Sequence, residues 1–129
     1  MLVVLLSLTL AAAPAGSIAG DWVITWVTPA GTPNDMTLTE KPAAYGAEIN
    51  GTYISTKLSA PCKVIGQRFD DQRSGLTLRI SCDKAFIIML TGNYRNGVIS
   101  GDYSYMPEAN PPAGVYPKPL TGQFRMDRK

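Results

Sequence analysis

The chain has 129 residues, a formal net charge of +2 and only 17% charged residues. This length allows one domain with a single core, and without a basic run nucleic acid is not an expected partner. Histidine is absent, so the commonest general base and the commonest transition-metal ligand are both missing. Twelve glycines, ten prolines and the lack of helix-periodic apolar stretches favour an all-β class.

Residues 1–13 have the features of a secretory signal peptide. Residues 2–10 form a short apolar run, and residues 11–13 or 13–15 offer small side chains for cleavage. The run is too short to span a bilayer as a helix. The alternative is a buried first strand. We expect export to a secreted or periplasmic location, with residues 1–15 as signal peptide and residues 16–129 as one domain.

Alternation of apolar and polar residues predicts eight short strands. A loop at residues 28–34 and the proline-rich segment 107–119 are the long connections, and the latter cannot pair as a central strand. Asn96-Gly97 is a strong hairpin signal. The predicted strands cover residues 20–27, 35–40, 47–56, 62–69, 76–82, 85–95, 98–106 and 120–127.

One five-residue pattern recurs in these strands: aliphatic, small polar, glycine, polar, aromatic. Its first, third and fifth positions share one face of a strand, and the central glycine permits sharp coiling. Eight such strands in a meander predict a closed, antiparallel, up-and-down β-barrel. The copies are residues 18–22, 49–53, 90–94, 99–103 and 120–124.

The strand at residues 62–69 has two interpretations. In an unbroken strand Arg68 points into the barrel with Cys62 and Val64, which is costly unless the charge is paired. A bulge at Gly66 would instead turn Phe69 inward. The pattern leaves both open.

Strand direction predicts one closed end and one open end. The tight turns at residues 71–73 and 96–97 fall at one end, and the long connections fall at the other. An eight-stranded barrel has an interior just wide enough for side chains or one small ligand. The inward residues nearest the open end, and so the expected ligand contacts, are Trp26, Ser55, Phe86, Tyr105 and Leu120.

The opening Gly-Asp-Trp at residues 20–22, the segment 50–55 and the Thr-Gly-x-aromatic copies resemble avidin-type barrels. They are still more similar to small secreted bacterial lipocalin-like domains of poorly defined function. The resemblance covers residues 20–128 and implies a lipocalin-like or avidin-like barrel. Tyr53 and Ser55 match the avidin pattern. However, Ile24 stands where a polar ligand contact is expected, and both tryptophans lie in the first strand, which argues against biotin.

Enzyme chemistry is not expected. The sequence has no histidine for a triad, no nucleophile elbow and no phosphate-cradling loop. Asp70 and Asp71 beside Ser74 are interpreted as a polar hairpin tip rather than a cation site, so no metal or cofactor is predicted. The main hypothesis is a barrel that binds a small, partly apolar ligand. The alternative is a protein-interaction module or inhibitor using residues 107–119 or an outward patch at Ile87 and Met89.

Cys62 and Cys82 are the only cysteines, and an oxidising compartment favours a bond between them. If the hairpin folds about Gln72, Cys62 faces Cys82 and Val64 faces Ile80. Directly opposed residues bring their Cβ atoms to about 4.5–5.5 Å, near the range that a disulfide needs. We therefore predict a Cys62–Cys82 disulfide, with a pair of buried free thiols as the alternative.

Overall fold

The computed structural model describes residues 16–28, 31–56, 58–70, 75–82, 86–106, 114 and 118–129. Each of its eight strands pairs antiparallel with the next, and the last pairs with the first, so the sheet closes into the predicted barrel. The strands are β1 (Gly20–Thr28), β2 (Asn34–Ala43), β3 (Gly46–Ile54), β4 (Cys62–Phe69), β5 (Gly75–Cys82), β6 (Phe86–Arg95), β7 (Val98–Met106) and β8 (Leu120–Arg128).

The inward faces of the strands form a single apolar core. Alternation within each strand places one set of side chains inside and the other set in solvent, as in β5, where Leu76, Leu78 and Ile80 are buried. Glycine takes the place of a side chain at several strand positions where the neighbouring strand lies close. At Gly51 and Gly101, an added Cβ would lie 2.1 Å and 2.0 Å from a carbonyl oxygen of the adjacent strand. Glycine is required there because the adjacent strand approaches so closely.

β2 is longer than the sequence predicts. It continues to Ala43, past the predicted end at residue 40, and pairs with β3 as far as Gly46. Pro42 is tolerated because β1 pairs with β2 only as far as Leu38, so no second ladder is interrupted. β3, in contrast, ends at Ile54 rather than at residue 56.

The closed end of the barrel is covered by residues 17–19, which precede β1. The Ile18 side chain is fully buried, and its carbonyl accepts a hydrogen bond from the Trp22 indole N–H at 2.8 Å. The Arg128 guanidinium lies over the Trp22 ring at 4.4 Å and donates to the carbonyls of Ala19 and Ser17, both at 2.8 Å. These contacts attach the covering segment to β1 and β8.

Arg68 points into the barrel at this end, and Phe69 points outward. β4 pairs without a register shift through Gly66, so the bulge does not form. The buried charge is tolerated because Glu40 accepts two hydrogen bonds from Arg68, at 2.7 and 3.1 Å, and Asp70 accepts another. Glu40 also accepts the Ile18 backbone N–H at 2.8 Å. The ion pair therefore supports the covering segment as well as the core.

We expect Glu40→Gln to lower the free energy of unfolding by about 1–3 kcal/mol near neutral pH, since it removes the charge that faces buried Arg68. Burial raises the pKa of the Glu40 carboxyl, but hydrogen bonds from Arg68 and Ile18 and the Arg68 charge outweigh it, and the net pKa is lowered. The stabilisation is therefore present above the ordinary carboxyl pKa and lost as pH falls through the lowered value. Denaturant unfolding of wild type and Glu40→Gln across this pH range tests the prediction. A difference between their free energies of unfolding that does not shrink on acidification would contradict it.

The Cys62–Cys82 disulfide is confirmed. The Cα atoms lie 4.5 Å apart, and the predicted register holds, with Val64 opposite Ile80 and Gly66 opposite Leu78. Such a bond is typical of oxidising compartments outside the cytoplasm. In the described part of the chain, no helix is long and apolar enough to cross a membrane. The predicted signal peptide, residues 1–15, lies outside the described residues.

Candidate functional site

A cavity of about 360 Å³ opens at the end of the barrel opposite residues 17–19. It lies where β1, β3 and β7 end and where β6 and β8 begin. All five residues expected at the open end line it: Trp26, Ser55, Phe86, Tyr105 and Leu120. The structure thus brings these residues together around one opening. The remaining lining residues are Gly31, Thr32, Asn34, Tyr53, Thr56, Ile88, Tyr103 and Thr121.

Aromatic rings form much of the cavity wall. Trp26 packs edge-on against Tyr103 with ring centroids 4.9 Å apart, and against Tyr53 at 6.5 Å. Two residues further along β7, Tyr105 packs against Phe86 of the neighbouring strand β6, with ring centroids 5.3 Å apart. These rings are only partly buried, except that of Tyr53. They therefore expose apolar faces toward the opening that a ligand can cover.

A polar corner formed by Asn34 and Tyr53 interrupts this apolar wall. The Asn34 amide is oriented by its neighbours: Nδ2 donates to the Thr32 carbonyl at 3.1 Å, and Oδ1 accepts the Thr56 N–H at 3.4 Å. The same Nδ2 donates to the Tyr53 hydroxyl oxygen at 2.9 Å. Because neither a carbonyl nor a backbone N–H can reverse its role, this orientation is fixed.

The Tyr53 hydroxyl is therefore an acceptor toward its protein neighbours. A second hydrogen bond joins it to the Trp26 side chain, whose only polar group is a donor. Burial raises the pKa of Tyr53 to about 12, although the bonds to Trp26 and Asn34 oppose this rise. The phenol stays protonated at physiological pH, and its hydrogen is used in neither of these two bonds.

Among the described residues that line the cavity, none carries a charge. A buried ion without a partner is strongly disfavoured, so the site is suited to an uncharged molecule. Hydroxyl and amide groups supply its polarity. The carboxylates Asp21 and Asp102 are exposed on the outer face. In the described ranges, no three Cys, Asp or Glu side chains are grouped so as to hold a metal ion.

Several cavity residues were not predicted as site residues. Tyr53 and Tyr103 were predicted to point inward, but each lies two residues further from the opening than the predicted site residue on the same chain segment, Ser55 and Tyr105 respectively. Asn34 was placed in a loop by composition, whereas it begins β2 and contacts β3. Ser55 lies one residue beyond the end of β3, where its carbonyl accepts the Leu58 N–H at 3.1 Å.

The other predicted surface features are separate from this cavity. Met89 is exposed on the outer face of β6, and Ile87 is half-buried. Asp70 pairs with Arg68, whereas Asp71 and Ser74 lie outside the described residues. Most of segment 107–119 also lies outside them. No protein-family model, curated protein or solved structure matches this chain significantly.

Proposed function

We propose that this barrel is a secreted or periplasmic protein that binds a small, uncharged, partly apolar ligand at its open end. The observation that carries the proposal is the uncharged, aromatic-walled cavity with one polar corner. Its volume of about 360 Å³ falls within the usual range for small-molecule sites. The resemblance to bacterial lipocalin-like and avidin-like barrels supports the same function.

The ligand would place its apolar body against the aromatic wall formed by the Trp26–Tyr103 and Phe86–Tyr105 pairs. The Tyr53 hydroxyl would donate a hydrogen bond to an acceptor atom of the ligand, because its bond with Asn34 uses the oxygen as acceptor and does not use the hydrogen. The proposal needs no catalytic residue, metal or cofactor.

The alternative, a protein-interaction module, has weaker support. Ile65 and Met89 are both exposed on the outer face, but Arg79 lies between them in the sheet register and divides the apolar surface. Protein interfaces instead concentrate apolar residues at a core that is depleted in charge.

The neutral apolar dye N-phenyl-1-naphthylamine tests the ligand proposal. We expect wild-type protein to bind it with increased dye fluorescence, and we expect Tyr105→Ala to weaken binding about ten-fold through the loss of aromatic contact area. Met89→Ala is the matched control, since it removes an exposed apolar side chain outside the cavity.

Titration of the dye at constant protein concentration gives the two dissociation constants. Equal affinity in wild type and Tyr105→Ala, or a loss in Met89→Ala that matches it, would place dye binding elsewhere and contradict the proposal. Circular dichroism of both variants establishes that the barrel is intact.

A further inference from the structure

The apolar side chains with the highest exposed fractions lie near one end of the barrel. Leu120, Ile54 and Val27 are 60%, 51% and 49% exposed, more than any other large apolar residue described. Each is the first or second residue of its strand counted from the open end of the barrel. Among the described residues of the closed end, only Tyr45 is in this class, at 38%.

These three residues form an arc along the rim. In barrel order β8 precedes β1, and β3 lies two strands beyond β1, so the arc spans consecutive neighbours β8, β1, β2 and β3. Val27 and Ile54 are even more exposed than Met89, although all three lie on the outer face. Apolar side chains this exposed, grouped at one end of the barrel, are a candidate interaction surface.

Lysines flank the arc on both sides. Lys118 precedes β8 by two residues, and Lys63 lies at the open end of β4, the strand after β3; both are exposed. Among described residues at this end, the one carboxylate is Asp35, and it is paired with Lys129 at 2.9 Å. Among the described residues, the rim therefore presents two lysines, and its described carboxylate is already paired.

We propose that this rim docks on an anionic lipid surface, with the open end facing the membrane. Apolar side chains that enter the headgroup boundary, with lysines beside them at the phosphates, are the usual composition of a peripheral membrane site. A fluid surface suits the arc because each side chain can insert separately, whereas a protein interface concentrates its apolar residues in one close-packed core. The inference rests on the rim alone and does not require the cavity to hold a ligand.

Vesicle flotation tests the proposal with a matched pair of double variants. Val27→Thr/Ile54→Thr removes apolar contact at the rim, and Ile65→Thr/Met89→Thr removes the same kind of exposed residue at mid-barrel. On vesicles of phosphatidylcholine and phosphatidylglycerol, we expect the rim variant to bind about ten-fold more weakly than wild type. We expect the mid-barrel variant to bind like wild type. Equal binding by all three proteins, or no binding by wild type, overturns the proposal.

Trp26 and Trp22 then report which end faces the lipid, because they lie at opposite ends of the barrel. With brominated acyl chains in the vesicles, we expect quenching of wild-type emission and little quenching in Trp26→Phe, which retains Trp22 alone. Strong quenching in Trp26→Phe would show that the closed end faces the membrane, which overturns the proposed orientation. Added salt should weaken binding, since the lysine contribution is screened.

Discussion

Trp22→Ala should destabilise the protein by about 3–5 kcal/mol, the range for removal of a large buried aromatic side chain. Trp22 is fully buried, and its loss would leave a cavity at the closed end. It would also leave the Ile18 carbonyl without its indole donor and remove the ring beneath Arg128. The segment 17–19 would lose contacts on two sides. We therefore expect the packing of this segment against the closed end of the barrel to be weakened as well.

Trp26→Ala is the matched comparison, because it removes the same type of side chain from the same strand, four residues further along. Trp26 is only half-buried and contacts Tyr53 and Tyr103 at the cavity. We expect a loss of stability well below that of Trp22→Ala, together with weaker ligand binding. Guanidinium denaturation measures both free energies of unfolding. Equal losses would contradict the assignment of a tightly packed closed end.

Loss of the Cys62–Cys82 disulfide should cost roughly 3 kcal/mol by the chain-entropy model, since the bond closes a loop with a sequence separation of 20. Both side chains are buried, so Cys62→Ala/Cys82→Ala is the suitable variant. The bond also joins β4 and β5 at the open end, beside the Tyr53 and Phe86 register positions. We therefore expect ligand binding to weaken along with stability.

Reducing agent provides the control for this variant. It should lower the denaturation midpoint of wild type toward that of the double variant and leave the variant unchanged. Thiol titration of unfolded, unreduced wild type should detect no reactive thiol, and two reactive thiols would refute the bond.

Most of the barrel could be predicted from local pattern. Strict alternation in β5 and the Asn96-Gly97 turn determine strand positions within a few residues. The β4–β5 register followed from a hairpin centred on Gln72, which places the two cysteines opposite each other. The predicted end of β2 came too early, at residue 40, because proline interrupts a strand that pairs with a neighbour on each side, and Pro42 was therefore assigned to a turn. Its tolerance depends on where β1 begins to pair, which is a property of the closed sheet.

The features that escaped prediction depend on contacts between distant segments. The sequence left Arg68 and Phe69 as alternatives because the deciding partner, Glu40, is 28 residues away. Residues 17–19 precede the first predicted strand, and their position depends on Arg128, which lies 109 residues from Ala19. At the open end, the inward residues were predictable from alternation, whereas Asn34 was not, since its role depends on the Tyr53 hydroxyl across the sheet.

The most direct test of the ligand proposal is native mass spectrometry of the protein purified from its own host. We expect a population heavier than the bare chain by the mass of one small, uncharged molecule. The same preparation of Tyr105→Ala should carry much less of it, and Met89→Ala should carry as much as wild type. A bare chain alone, or a bound molecule undiminished by Tyr105→Ala, would contradict ligand binding at the open end.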